Sequence, residues 1–206
     1  MCGIIGIASD KSVSTNIINS LKRLEYRGYD SAGLATLNNN LIIEKKCSGR
    51  VEQLEKIIFE NPVEGNIGIG HVRWATHGIP NTVNAHPHSS EIVSVVHNGI
   101  IENSDELKRK LEKEGVKFKS QTDTEVITFL ITKALESSDP LNSVFLTLEK
   151  LKGSFALGIL FKNHNNIIIG ARRGSPLAVG YAKNENYLGS DSYALKSMTN
   201  KISYLD

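Results

Sequence analysis

Two cysteines, Cys2 and Cys47, are too few to staple a secreted scaffold, and a bridge between them would consume a candidate nucleophile. Their scarcity fits a reducing, cytoplasmic setting. Charge imbalance is equally lacking. With 24 Lys and Arg against 22 Asp and Glu, the formal net charge of +2 is too small to draw nucleic acid or an anionic membrane surface. No apolar run approaches the ~18–20 residues that span a bilayer. No basic stretch followed by an apolar core marks a secretory leader. There is no low-complexity linker, repeat or composition shift, so the 206 residues read as one domain, 1–206. With 40% hydrophobic and 22% charged residues, that domain can bury a substantial core.

What is present begins at the first residues. Met1-Cys2 leads the apolar run Gly3-Ile4-Ile5-Gly6-Ile7-Ala8, which has the density of a buried strand. Cys2 is small enough for aminopeptidase to remove Met1, leaving a cysteine with a thiol and a free α-amine. That amine has a reference pKa of roughly 7.7–8.0, so a useful fraction is neutral near physiological pH. It can accept the thiol proton without a separate histidine base. The plainer reading is a cysteine incidental to an early strand. Cys47, after Lys45-Lys46, reads as such a residue near a strand end.

Periodicity places the elements. A helix is expected over 13–25, capped by Ser12 or Ser14, and strands at 32–37 and 41–46 joined across Asn38-Asn39-Asn40. A short helix at 51–59 and a strand at 66–73 follow, then an irregular stretch to about Ser90 with the single tryptophan and half the histidines. The next strand ends at His97-Asn98-Gly99. Capping-box patterns at Asn103–Glu106 and Thr122–Glu125 open two helices, and a further helix covers 141–151. Strands are expected at 154–161, 166–172, 177–182 and 186–190, then a brief helix from Ser192 and a strand over 201–205. The fold class is α+β with mainly antiparallel sheets. A strand running up to Asp206 gives the expectation that the chain is the N-terminal part of something longer.

An acyl-transfer nucleophile needs donors for the developing oxyanion. Asn98-Gly99 offers a side-chain amide and a backbone N–H, although the pair taken alone reads as a type I′ hairpin turn. Arg73 can grip a carboxylate bidentately, and Asp123 at a helix start can accept an ammonium. Their plainer readings are a surface ion pair and a carboxylate offsetting the helix dipole. His86-Pro87-His88 has no Cys or carboxylate spacing of a zinc site, so no metal is expected. His77 and His86 are expected to hydrogen-bond within the long loop.

These residues resemble one family. Met1–Gly6 is similar to the start of class II glutamine amidotransferases, which are N-terminal-nucleophile hydrolases. Leu24–Gly33 (Leu-Glu-Tyr-Arg-Gly-Tyr-Asp-Ser-Ala-Gly), Arg73–Gly78, Asn84–His88, Val96–Asn103 and Thr122–Glu125 resemble the glutaminase domains of the glucosamine-6-phosphate synthase family. The resemblance implies a four-layer αββα fold with two mainly antiparallel sheets, and Cys2 as nucleophile with its own amine as base. It implies Asn98 and Gly99 as the oxyanion hole, Arg73 on the glutamine α-carboxylate and Asp123 on its α-ammonium. Thr76 and His77 would lie in the loop that closes over glutamine, with Trp74 as a gate beside the ammonia exit. Arg27 matches an arginine near the nucleophile and His86 a loop residue. Val72 departs from relatives that carry a hydroxyl there. The implied substrate is L-glutamine, with no cofactor. The implied partner is a sugar isomerase domain of the same full-length protein, a dimer when full length, that binds fructose 6-phosphate and would follow Asp206. A phosphoribosylamine-forming relative and a non-catalytic glutamine-binding module are the alternatives.

Overall fold

Apolar residues on both faces of the same strands decide the architecture. The structure, a computed structural model, describes residues 2–75 and 78–206. Among them the strands are β1 (Gly3–Ala8), β2 (Ser31–Asn38), β3 (Leu41–Ser48), β4 (Ile67–Arg73), β5 (His88–Ser89), β6 (Val93–Ile101), β7 (Gly153–Phe161), β8 (Ile168–Arg173), β9 (Ala178–Ala182), β10 (Glu185–Gly189) and β11 (Lys201–Tyr204). The helices are α1 (Ser14–Leu24), α2 (Val51–Glu60), α3 (Ser104–Lys113), α4 (Thr124–Ala134), α5 (Pro140–Leu148) and α6 (Ser192–Leu195). One sheet has the order β11-β9-β10-β1-β4-β2-β3 and the other β5-β6-β7-β8. Every neighbouring pair is antiparallel.

Alternate residues of each strand serve different cores. Ile5 and Ile7 of β1 pack with Ile17, Leu21 and Leu24 of α1 and with Leu54 of α2, whereas Ile4 joins Ile69, Val96, Ala156 and Leu188 between the sheets. On β7, Phe155, Leu157, Ile159 and Phe161 meet Leu107 of α3, Ile127 and Ile131 of α4 and Val144 of α5. Three apolar layers therefore separate four structural ones, helices–sheet–sheet–helices. Burial on both faces explains why Gly3–Ala8 reads as a continuous apolar run despite its antiparallel neighbours. Each fully buried Ile, Leu or Phe contributes roughly 1.5–3 kcal/mol.

The elements follow the expected periods, with instructive departures. Asn39 and Asn40 both take positive φ and turn β2 into β3, as the Asn run implies. Asn98-Gly99 does not turn. β6 runs through it, pairing Asn98 with Ala156 and Gly99 with Phe155. The capping boxes are not formed either. Asn103 bonds the Lys150 carbonyl and the Lys152 amide, 2.9 Å each, tying the start of α3 to the approach to β7. Glu125 turns back to accept from the Lys119 and Ser120 amides at 3.0 and 2.7 Å. Ser14 donates to the Val63 carbonyl rather than capping α1. At Asn103 and Ser14 a long-range polar partner outcompetes the local one, and at Glu125 the turn preceding the helix does. The helix expected over 141–151 ends at Leu148, and Asp139 caps it, accepting from Leu141 and Asn142 at 2.9 and 3.0 Å.

Candidate active site

Strand register brings the sequence-distant residues together. Gly3 pairs with Val72, so Cys2 emerges beside the Arg73–Trp74 end of β4. The Trp74 amide donates to Cys2 Sγ at 3.2 Å, and the thiol points back at the Trp74 carbonyl at 3.5 Å. Burial pushes the Cys2 thiol up, with the Trp74 N–H acting against it. Such a thiol is protonated at neutral pH and needs a base before it can attack. Among the described residues, Cys2 Sγ has hydrogen bonds with the Trp74 backbone and with no imidazole.

Asn98 lies on the face of β6 turned to the other sheet, and its Nδ2 donates to the Cys2 carbonyl at 3.0 Å. Gly99 has φ +131°, and a Cβ there would collide with the Ser154 carbonyl oxygen. No other residue fits without displacing β7. On one strand, the Asn98 amide thus meets the backbone of Cys2 and Gly99 shares a cavity wall with it.

Arg73 is buried, at 3% exposure, which removes the surface-ion-pair reading. Its guanidinium donates to the carbonyls of Gly78 at 3.2 Å and Ile79 at 3.4 Å. Burial draws its pKa down, against the charges of Asp30, Cys2 and Asp123. Asp123 precedes α4 but caps nothing; its Oδ2 accepts from the Ile101 amide at 2.8 Å, and its Oδ1 stands 3.8 Å from His97 Nδ1. A cation and an anion thus flank one cavity whose wall includes Cys2, Gly99 and Trp74.

The Arg27 guanidinium pairs with Asp191 at 2.8 Å, beside Tyr26, and the residue does not line that cavity. The Trp74 ring is half-exposed, edge-on to Tyr29 at 5.7 Å. Thr76 and His77 lie outside the described residues. His86 does not bond within its own loop as expected. Its Nε2 lies 2.7 Å from Thr124 Oγ1 on α4, and its ring stacks on His71 at 4.2 Å. Burial holds His71 at about 3 and keeps His86 and His88 well below the ordinary histidine value, so these rings are neutral. Among the described residues no three His, Cys, Asp or Glu side chains are grouped to hold a metal ion.

Several contributors escape sequence reasoning. Asp30 accepts from the Ala75 amide at 2.5 Å and donates its own amide to the Arg73 carbonyl, holding the segment that carries Arg73 and Trp74. Gly28 lets that turn close, since a Cβ would lie 2.6 Å from the Arg73 carbonyl. Thr124 links His86 and His97 at 2.7 and 2.9 Å. In the sequence they stand inside the Leu24–Gly33 and Thr122–Glu125 motifs, with nothing there to say which groups each would hold.

An αββα sandwich with a cysteine at the head of a central strand and an amide–glycine pair beside it is the architecture of the class II glutamine amidotransferases. The chain belongs to that family: the glutamine amidotransferase domain matches residues 76–197. Over its whole length the chain is 50% identical to the glutamine–fructose-6-phosphate aminotransferase (isomerizing) of Mesorhizobium japonicum and 52% to that of Brucella abortus. It spans about a third (34%) of the length of these curated relatives. Among solved structures, the glutamine phosphoribosylpyrophosphate amidotransferase from B. subtilis superposes with a TM-score of 0.82 at 27% identity, covering 99% of this chain and 44% of that one. A class II glutamine aminotransferase domain protein from Silicibacter pomeroyi, at 12% identity and TM-score 0.66, shares the fold, covering 91% of this chain and 88% of its own.

Proposed function

We propose that this domain hydrolyses L-glutamine to glutamate and ammonia through a thioester on Cys2. The observation that carries the reading is the convergence of a base-requiring thiol, Gly99 and the Arg73–Asp123 charge pair on one cavity, with the Asn98 amide bonded to the backbone of the same cysteine. Once Met1 is removed, the neutral α-amine of Cys2 takes the thiol proton as sulfur bonds to the side-chain amide carbon of glutamine. Asn98 Nδ2 and the Gly99 N–H stabilise the resulting oxyanion. The ammonium then returns its proton to the nitrogen, the C–N bond breaks, and ammonia departs. Water, deprotonated by the same amine, attacks the thioester, releasing glutamate and regenerating the thiol.

In the full-length protein the ammonia would serve conversion of fructose 6-phosphate to glucosamine 6-phosphate by a sugar isomerase domain, in a cytoplasmic dimer. The 50–52% identity to fructose-6-phosphate enzymes favours this over phosphoribosylamine synthesis, where the solved relative is 27% identical. The mass of the mature protein with and without a glutamine-mimicking electrophile tests the proposal. Loss of Met1 and one adduct on Cys2 are expected, together with ammonia release from glutamine. A labelled protein that releases no ammonia would leave a binding module instead.

A further inference from the structure

His71 lies deep in β4, fully buried, with no place in the hydrolytic steps above. Its Nε2 stands 3.0 Å from the His97 carbonyl oxygen and 3.0 Å from Asn98 Oδ1. Both partners are acceptors, so Nε2 carries the ring hydrogen and donates to both. Nδ1 is buried without a polar partner, which an unprotonated ring nitrogen tolerates better than an N–H. The ring plane is held by the stack on His86, itself tied to Thr124.

The consequence falls on Asn98. An amide side chain can sit in either of two orientations, exchanging its oxygen and nitrogen. Here Oδ1 meets the His71 N–H while Nδ2 donates to the Cys2 carbonyl at 3.0 Å. Turned over, the amide would set N–H against N–H at His71 and oxygen against oxygen at Cys2. It would also offer the developing oxyanion an acceptor where a donor is needed. We propose that His71 is a positioning residue, whose Nε2–H fixes the Asn98 amide with its N–H toward Cys2 and the developing oxyanion. This rests on the reading of Asn98 as an oxyanion donor.

The test is a double-mutant cycle on glutamine hydrolysis, with rates expressed per Cys2 titrated by the electrophile so that misfolded protein does not count. His71→Leu is expected to lower kcat about tenfold or more, below the ~10²–10³ of losing the donor itself, and to leave KM within about threefold. His71→Gln, whose own N–H can reach the same oxygen, should recover most of the loss. In an Asn98→Ala background, His71→Leu should cost less than a further twofold. If His71→Leu does not fold, His71→Phe, which keeps a stacked ring but no donor, reads the same quantity. An undiminished kcat without the donor, or a His71 loss that multiplies in full on Asn98→Ala, overturns the assignment while leaving Asn98 catalytic. An Asn98→Ala variant with full kcat removes the oxyanion reading itself, and this assignment with it.

Discussion

Along β4 the positions facing the second sheet read Ile67, Ile69, His71 and Arg73, and along β6 Val96 gives way to Asn98 in the same way. One layer thus has two ends. Ile69 and His71 are equally dry, each with 0% exposure, yet they are held by different physics. The apolar end rests on non-directional burial, which tolerates swaps of similar volume. The imidazoles, amide and guanidinium of the other end depend on directional bonds, where removing one partner strands another buried group. The site is the core continued in polar residues, and it inherits the core's rigidity.

Five measurements break or sharpen that contrast. Cys2→Ala should abolish ammonia release while leaving the thermal melt near wild type, because it removes the attacking atom and little packing. Gly99→Ala should be damaging in both respects. It meets the Ser154 carbonyl in a backbone conformation that L-residues resist, so a loss of about 4 kcal/mol or more in urea melts is expected together with loss of turnover. A wild-type melt would mean that β6 and β7 separate more easily than the register implies. Asn98→Ala should lower kcat by ~10²–10³ with little change in KM; a pure KM effect would assign Asn98 to substrate binding.

The polar end should also fail first in acid. In the unfolded chain His71, His86 and His88 take protons near 6.5, whereas in the native protein burial holds them lower, His71 to about 3. Their contribution is fully present above 6.5 and is lost as pH falls from there toward the native values, at up to ~1.4 kcal/mol per pH unit for each ring. Urea melts between pH 7 and 4 read this directly, and a flat profile would mean the rings are protonated in place. The smallest effect belongs to the apolar end. Ile69→Val should cost about 0.5–1.5 kcal/mol of stability and leave kcat and KM unchanged.

The periods of two and of about 3.6 residues were enough to place the longer strands and the helices, because apolar spacing is a property of each segment alone, whereas the two-residue β5 fell inside a stretch read as irregular. Sheet order was not readable, since the pairing of β1 with β10 depends on residues some 180 positions apart. For the same reason the local reading of Asn98-Gly99 as a turn gave way to pairing with Ala156 and Phe155. The proposed nucleophile, donor pair and charge pair were legible as residue types matching a chemical task. Asp30, His71 and Thr124 were not, because their work is to hold other residues, and nothing in a linear string records which amide a carboxylate will meet. The partner of Arg27 was equally hidden, since Asp191 lies 164 residues later and meets its guanidinium only in the folded chain.

The placement of β1 between β4 and β10 carries a consequence for synthesis. Both partners are translated later, the second ending at Gly189. At ~5–20 residues per second, the first strand made waits on the order of ten seconds or more for its last neighbour. Until that neighbour arrives one edge of β1 stays unpaired, so the strand leading out of Cys2 completes its hydrogen bonding only after Gly189 has been made.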